Sequence, residues 1–173
     1  MLPKCCAGQL PHPFVRVLAV LLLLACTTES VRPYVVIDSG VSAGKRFASP
    51  YFDVITQAEQ FTRLFRELHA HQLPPPTPPA VNFAASLVLI AARGEKPTTG
   101  YGIDVERLAR RGDVLQVHLR LRDPLPTASH ATMLTQPFVM VQVQKEPGVK
   151  QVEFLDQDAA LLASLPIPGL AQK

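Results

Sequence analysis

Two periods of apolar residues divide the chain. Phe61, Leu64, Phe65 and Leu68 recur at the i, i+3, i+4, i+7 spacing that gathers side chains on one helical face. Thr56 and Glu59 have the spacing of a capping box, and the helix is expected to run to about His71. Leu73-Pro74-Pro75-Pro76-Thr77-Pro78-Pro79 then stops it, because proline lacks an amide hydrogen and disfavours helix in the residue before it. Residues 73–79 read as an internal linker of extended polyproline. Elsewhere the pattern is β. Tyr34–Ile37 is rich in β-branched and aromatic types, and Asp38-Ser39-Gly40 follows as a turn. Val41–Tyr51 reads as a loop. Ser86–Ala92 is a continuous apolar run suited to a strand buried on both faces. Gly94–Gly100 reads as a turn. Tyr101, Ile103 and Val105 alternate with polar residues, and Arg110–Asp113 is expected to turn the chain. Leu115, Val117, Leu119 and Leu121 alternate with Gln116, His118, Arg120 and Arg122, a half-buried strand with a solvated outer face that includes His118. Asp123–Gln136 reads as a long polar loop. Strands are expected at Phe138–Val143 and Gln151–Leu155, and a short helix capped by Asp158 through Leu165. The expected fold class is α+β, an antiparallel β-meander or sandwich with one main packed helix.

The first 25 residues follow a different logic. Lys4 and Arg16 are the only charges before Glu29, and Val17–Ala25 is an apolar run of nine. A basic front and a short apolar core are the anatomy of an export signal. Crossing a bilayer as a helix takes about 20 apolar residues. Leu23-Leu24-Ala25-Cys26 resembles the bacterial lipobox, which implies diacylglycerol on Cys26 and a cut before it. More than one acyl chain is needed for a lasting anchor, since each buried methylene contributes only about 0.8 kcal/mol. The expected organisation is a lipoprotein signal peptide at 1–25, a tether at 26–33, a domain at 34–165 and a tail at 166–173. Thr27 rather than Asp after Cys26 favours sorting to the outer membrane, facing the periplasm, in a host with two membranes.

Composition changes the picture in two ways. Lys and Arg number 17 against 14 Asp and Glu, but two of the basic residues lie in the signal. The exported part is near neutral, which argues against a nucleic-acid partner. Of three cysteines, Cys5 and Cys6 leave with the signal and Cys26 is the anchor. This excludes a disulfide framework and thiol catalysis in the mature chain, so an ordinary core must hold it together.

Candidate chemistry is sparse. Asp38-Ser39-Gly40 resembles an aspartic-protease signature, yet that chemistry needs two carboxylates sharing a proton and one copy is present. His69 and His71 diverge by about 200° on a helix and do not face one ligand. Zinc would need two further ligands. His118 and His130 have no evident partner, and neither a G-x-S-x-G elbow nor a Gly-rich phosphate loop occurs. The expectation is a protein that is no enzyme and needs no cofactor and no metal. Gly94–Gly102, G-E-K-P-T-T-G-Y-G, is the most informative stretch. Pro97 fixes one φ angle, Gly100 permits another, and two threonines with Tyr101 suit recognition.

These pieces, taken in order, resemble the PrcB C-terminal domain family over about residues 37–145. They are Ser39-Gly40, the helix with Phe61 and Phe65, Val81-Asn82-Phe83 and Leu87–Ala91. Gly94-Glu95-Lys96-Pro97-Thr98-Thr99-Gly100-Tyr101 and Thr135-Gln136-Pro137-Phe138 complete them, the latter leading into Val139–Lys145. The chain departs from the family pattern at Asn82, Thr99 and Phe61, where Asp, Gly and Trp are usual. The resemblance implies a non-catalytic, lipid-anchored envelope protein that binds a protein partner, a protease or its complex, with Lys96, Pro97, Thr98, Thr99, Gly100 and Tyr101 as the partner-binding loop. Lys96–Tyr101 also resembles the N-P-T-T-G-Y loop of chagasin-type inhibitors, differing at one residue. That likeness implies an alternative: inhibition of cysteine proteases through the same loop.

Overall fold

The computed structural model describes residues 29–42, 44–127 and 129–169. Its architecture is a β-sandwich with one helix laid on the outside of one sheet. The strands are β1 (Ser30–Arg32), β2 (Val35–Val41), β3 (Tyr51–Ile55), β4 (Ser86–Ala92), β5 (Lys96–Thr98) and β6 (Gly102–Arg111). They continue with β7 (Val114–Arg122), β8 (Thr132–Thr135), β9 (Pro137–Gln144), β10 (Gln151–Leu155) and β11 (Leu161–Pro166), and α1 spans Ala58–Leu68. One sheet has the order β1-β6-β7-β10-β11 and the other β2-β9-β4-β3, while β5 and β8 form a separate ribbon.

β4 is the centre of gravity. All seven of its residues are buried. Leu87, Leu89 and Ala91 point between the sheets, where they meet Val139, Val141, Leu108, Val117 and Phe154. Val88, Ile90 and Ala92 point outward onto Phe61, Leu64, Phe65 and Leu68 of α1. A strand covered on both faces has no polar positions to alternate, which is why its sequence is a continuous apolar run. The helix contributes its one apolar stripe, as its spacing requires.

The structure corrects several expectations. The helix is uncapped by any side chain: Gln57, not Thr56, is its N-cap residue and makes no capping hydrogen bond. Asp38-Ser39-Gly40 is no turn but lies within β2, paired with Met140, Val139 and Phe138 of β9. β3 emerges from the end of the expected loop and pairs with β4 from Tyr51↔Ala92 to Ile55↔Val88. The sheets do not form a simple meander, because β10 runs parallel to β7 and antiparallel to β11. The expected closing helix is β11. Asp156 caps the turn before it, accepting from the backbone N–H groups of Asp158 and Ala160 at 2.9 and 2.8 Å. Ser30–Arg32, placed in the tether, pairs with Leu108–Arg110, and Ile167, placed in the tail, is 2% exposed in the core. Residues 73–79 carry neither helix nor strand.

Candidate functional site

The Lys96–Tyr101 stretch is built by the elements on either side of it. β4 ends at Ala92, and the Arg93 N–H donates to the Pro137 carbonyl at 2.9 Å. Gly94 then turns the chain at φ +74°, a left-handed conformation that costs glycine little. A Cβ there would also meet the Ser49 backbone at 2.7 Å, so the position is closed to larger residues twice over. Lys96–Thr98 does not hang free as a turn. It is β5, paired with β8 in the register Lys96↔Thr135 and Thr98↔Thr132. The Thr135 hydroxyl, almost fully buried, donates to the Thr98 carbonyl at 2.7 Å, and the Thr99 N–H donates to Ala131 at 3.2 Å. Gly100 packs so closely on Pro124 and His130 that an added Cβ would stand 2.5 Å from the proline.

Two cations share the Tyr101 ring. The Arg93 guanidinium lies 5.4 Å and the Lys96 ammonium 5.5 Å from its centroid. Arg93 is also the rivet of this corner. It donates to the carbonyls of Arg122 at 2.7 Å and Gly102 at 3.3 Å and pairs with Asp123 at 2.8 Å. Lys96 makes no ion pair with any described residue. Pro97 and Thr99 stay exposed on the ribbon.

β8 supplies what sequence reasoning missed. Thr132, Met133 and Leu134 are exposed in a stretch expected to be polar loop, which also holds Leu125 at 68% exposure. Met133 is 56% and Leu134 65% exposed, so the ribbon shows apolar side chains to solvent. The T-M-L-T tetrad is the available signal, a β-compatible run between prolines that the surrounding polarity obscured.

The remaining candidates fall elsewhere. His69 caps the end of α1, and its Nε2 lies 2.7 Å from Asp38 of β2, so the pair ties the helix to the sheet edge. His71 is exposed and apart from it. Among the described residues no group of three His, Cys, Asp and Glu side chains gathers as metal ligands. His118 is not solvated as expected: it is 9% exposed, and its Nε2 is buried without a hydrogen-bond partner. Burial lowers its pKa, and the nearby Arg107 charge adds to that shift. Cys26 and the signal lie outside the described residues.

Residues 87–144 match the family model described as PrcB C-terminal. Over this segment the resemblance to the PrcB C-terminal family is shown. No curated protein and no solved structure matches the chain. The PrcB C-terminal match takes in almost all of β4, the whole β5–β8 ribbon, β6, β7 and β9. Two motifs that carried the resemblance now have physical roles. Gln136 is buried, and its side-chain oxygen accepts from the Phe47 N–H at 2.7 Å, tacking the β2–β3 connection to β9. Asn82, upstream of the matched segment, launches β4. Its backbone carbonyl accepts from Ser86 at 2.8 Å and its side chain accepts from the Ala84 N–H. The turn uses an oxygen at that side-chain position, and Asn82 supplies it.

Proposed function

We propose that this is a lipid-anchored bacterial envelope protein whose PrcB C-terminal domain binds a protein partner in a protease-associated complex, without bond chemistry of its own. The observation that carries the reading is the ribbon. Inside the family segment, and on a rigid sandwich, β5 and β8 set Pro97, Thr99, Met133 and Leu134 in solvent. Exposed apolar groups held on a fixed scaffold are the ordinary signature of an interaction surface. The charged and aromatic groups at its base, Arg93, Lys96 and Tyr101, stack on one another and brace the loop. Cys26 supplies the anchor in this reading and keeps the domain at the membrane, in the outer one where a host has two.

The test is affinity recovery of the full chain from detergent-solubilised membranes of its host, with a Cys26→Ala control. A protease or assembly subunit should be recovered with the wild type. Cys26→Ala should move the protein out of the membrane fraction. Recovery of the protein alone, or unchanged fractionation of Cys26→Ala, would overturn the partner or the anchor respectively. A second reading, direct inhibition of a papain-like protease, is favoured by the exposure of Thr99 at the end of β5. It predicts inhibition that is lost on replacing Thr99. Absence of inhibition across a panel of such proteases removes it.

A further inference from the structure

The two sheets part at the end of the sandwich where β4 gives way to Arg93. Ile103 at the start of β6 and Leu121 at the end of β7 face each other across the ladder. With Phe52 of β3 and Leu162 of β11 they wall a cavity of about 190 Å³. The walls are apolar, and Leu162 is 37% exposed at the opening. Arg93 and Lys96 form the basic part of the lining.

The charge at this rim is unbalanced. The Arg93 side chain is 10% exposed, fixed by two backbone carbonyls, and its one carboxylate partner among the described residues is Asp123, whose side chain is 70% exposed. The Lys96 ammonium rests on Tyr101 with no described carboxylate beside it. An apolar cavity lined in part by Lys96, which has no described ion-pair partner, and by the largely buried Arg93 fits a ligand that is greasy at one end and anionic at the other. Its volume is below the roughly 300–1,000 Å³ of pockets that enclose drug-sized ligands. It suits one apolar side chain rather than a long acyl chain.

We propose that this cavity receives the apolar last side chain of a partner polypeptide, with the terminal carboxylate held by Lys96 and Arg93. Terminal carboxylate capture is a recurrent mode of peptide recognition. The proposal deepens the protein-binding reading above and rests on it. Asp123 becomes an internal competitor that a ligand carboxylate displaces from Arg93.

The full chain is titrated with a pool of hexapeptides ending in free Leu, Ile, Val or Phe, and with the same pool carboxamidated. Amide shifts in NMR spectra report binding. The acid pool should shift Ile103, Leu162 and the Lys96–Tyr101 backbone, and the amide pool should bind at least about tenfold more weakly. Lys96→Ala should reduce the preference for the acid severalfold, leaving the part that Arg93 supplies. Asp123→Asn should strengthen acid binding while leaving amide binding alone. Equal binding of the two pools, or no shift at millimolar peptide, overturns the proposal. Binding of decanoate that matches or exceeds the peptides overturns the polypeptide as occupant. A partner recovered from membranes by Lys96→Ala as well as by the wild type, together with peptide failure, would leave the protein-binding reading standing and remove this cavity from it.

Discussion

β4 and β8 lie on the same chain some forty residues apart and have opposite environments. Every residue of β4 is buried, with α1 on one side and the second sheet on the other. Three of the four residues of β8 are exposed, and among the described residues its one strand partner is the three-residue β5. β4 holds the fold together and offers nothing to a partner. β8 contributes little core yet shows Met133 and Leu134 to whatever approaches. In the proposed reading, stability and recognition are housed in different strands, and substitutions should separate them.

The largest effect belongs to the buried side. Leu89→Ala would open a cavity at a position 1% exposed and should cost about 2–5 kcal/mol, read as a lower denaturant midpoint. Next comes the hinge between the two regions. Gly94→Ala would force a left-handed residue against the Ser49 backbone and should cost about 1–3 kcal/mol by the same measurement. The ribbon stands at the other end of the comparison. Met133→Ser with Leu134→Ser should change stability by no more than about 0.5 kcal/mol for each site, while abolishing partner recovery from membranes. If that double variant unfolds instead, the division of labour between the strands is wrong.

The smallest effect is a pH dependence. The folded-state pKa of His118 is lowered, so the unfolded chain binds the proton more readily. No stability is lost on this account well above the unfolded value of about 6.5. Loss begins as pH falls through that value and levels off below the lowered folded one. Thermal melts between pH 8 and pH 5 should show the fall, and His118→Gln should make it shallower.

What the sequence disclosed follows from how many signals each element carries. The continuous run Ser86–Ala92 and the fourfold stripe of α1 are long and unambiguous, and both lie where the pattern put them. Gln151–Leu155 also matches residue for residue. β2 runs on past Ile37 although Asp38-Ser39-Gly40 is turn chemistry locally. Pairing with β9 and the Asp38–His69 contact override it. β11 was misread as helix because an Asp before an apolar run resembles a cap. The same Asp-rich stretch instead closes a tight turn around Asp156. His118 sits at an outward position by alternation, but the ladder slips by a residue between Val105 and Arg107 of its partner strand, and β10 lies along its other side. None of these is visible without the partner strands. The candidate loop was legible as a rigid motif. Its cavity was not, since Phe52, Ile103, Leu121 and Leu162 come from four strands that only the fold brings together.

The five-stranded layer keeps the opening strand of the described chain, β1, at one margin and the closing one, β11, at the other. Its middle cannot be sealed early. A polypeptide emerging front end first holds an unfinished layer until Leu161–Pro166 has appeared, because β10 needs that flank and Ile167 plugs the core behind it. At the other margin β1 must find β6 in the register Ser30↔Arg110 to Arg32↔Leu108, and contacts between such distant parts of a sequence form slowly.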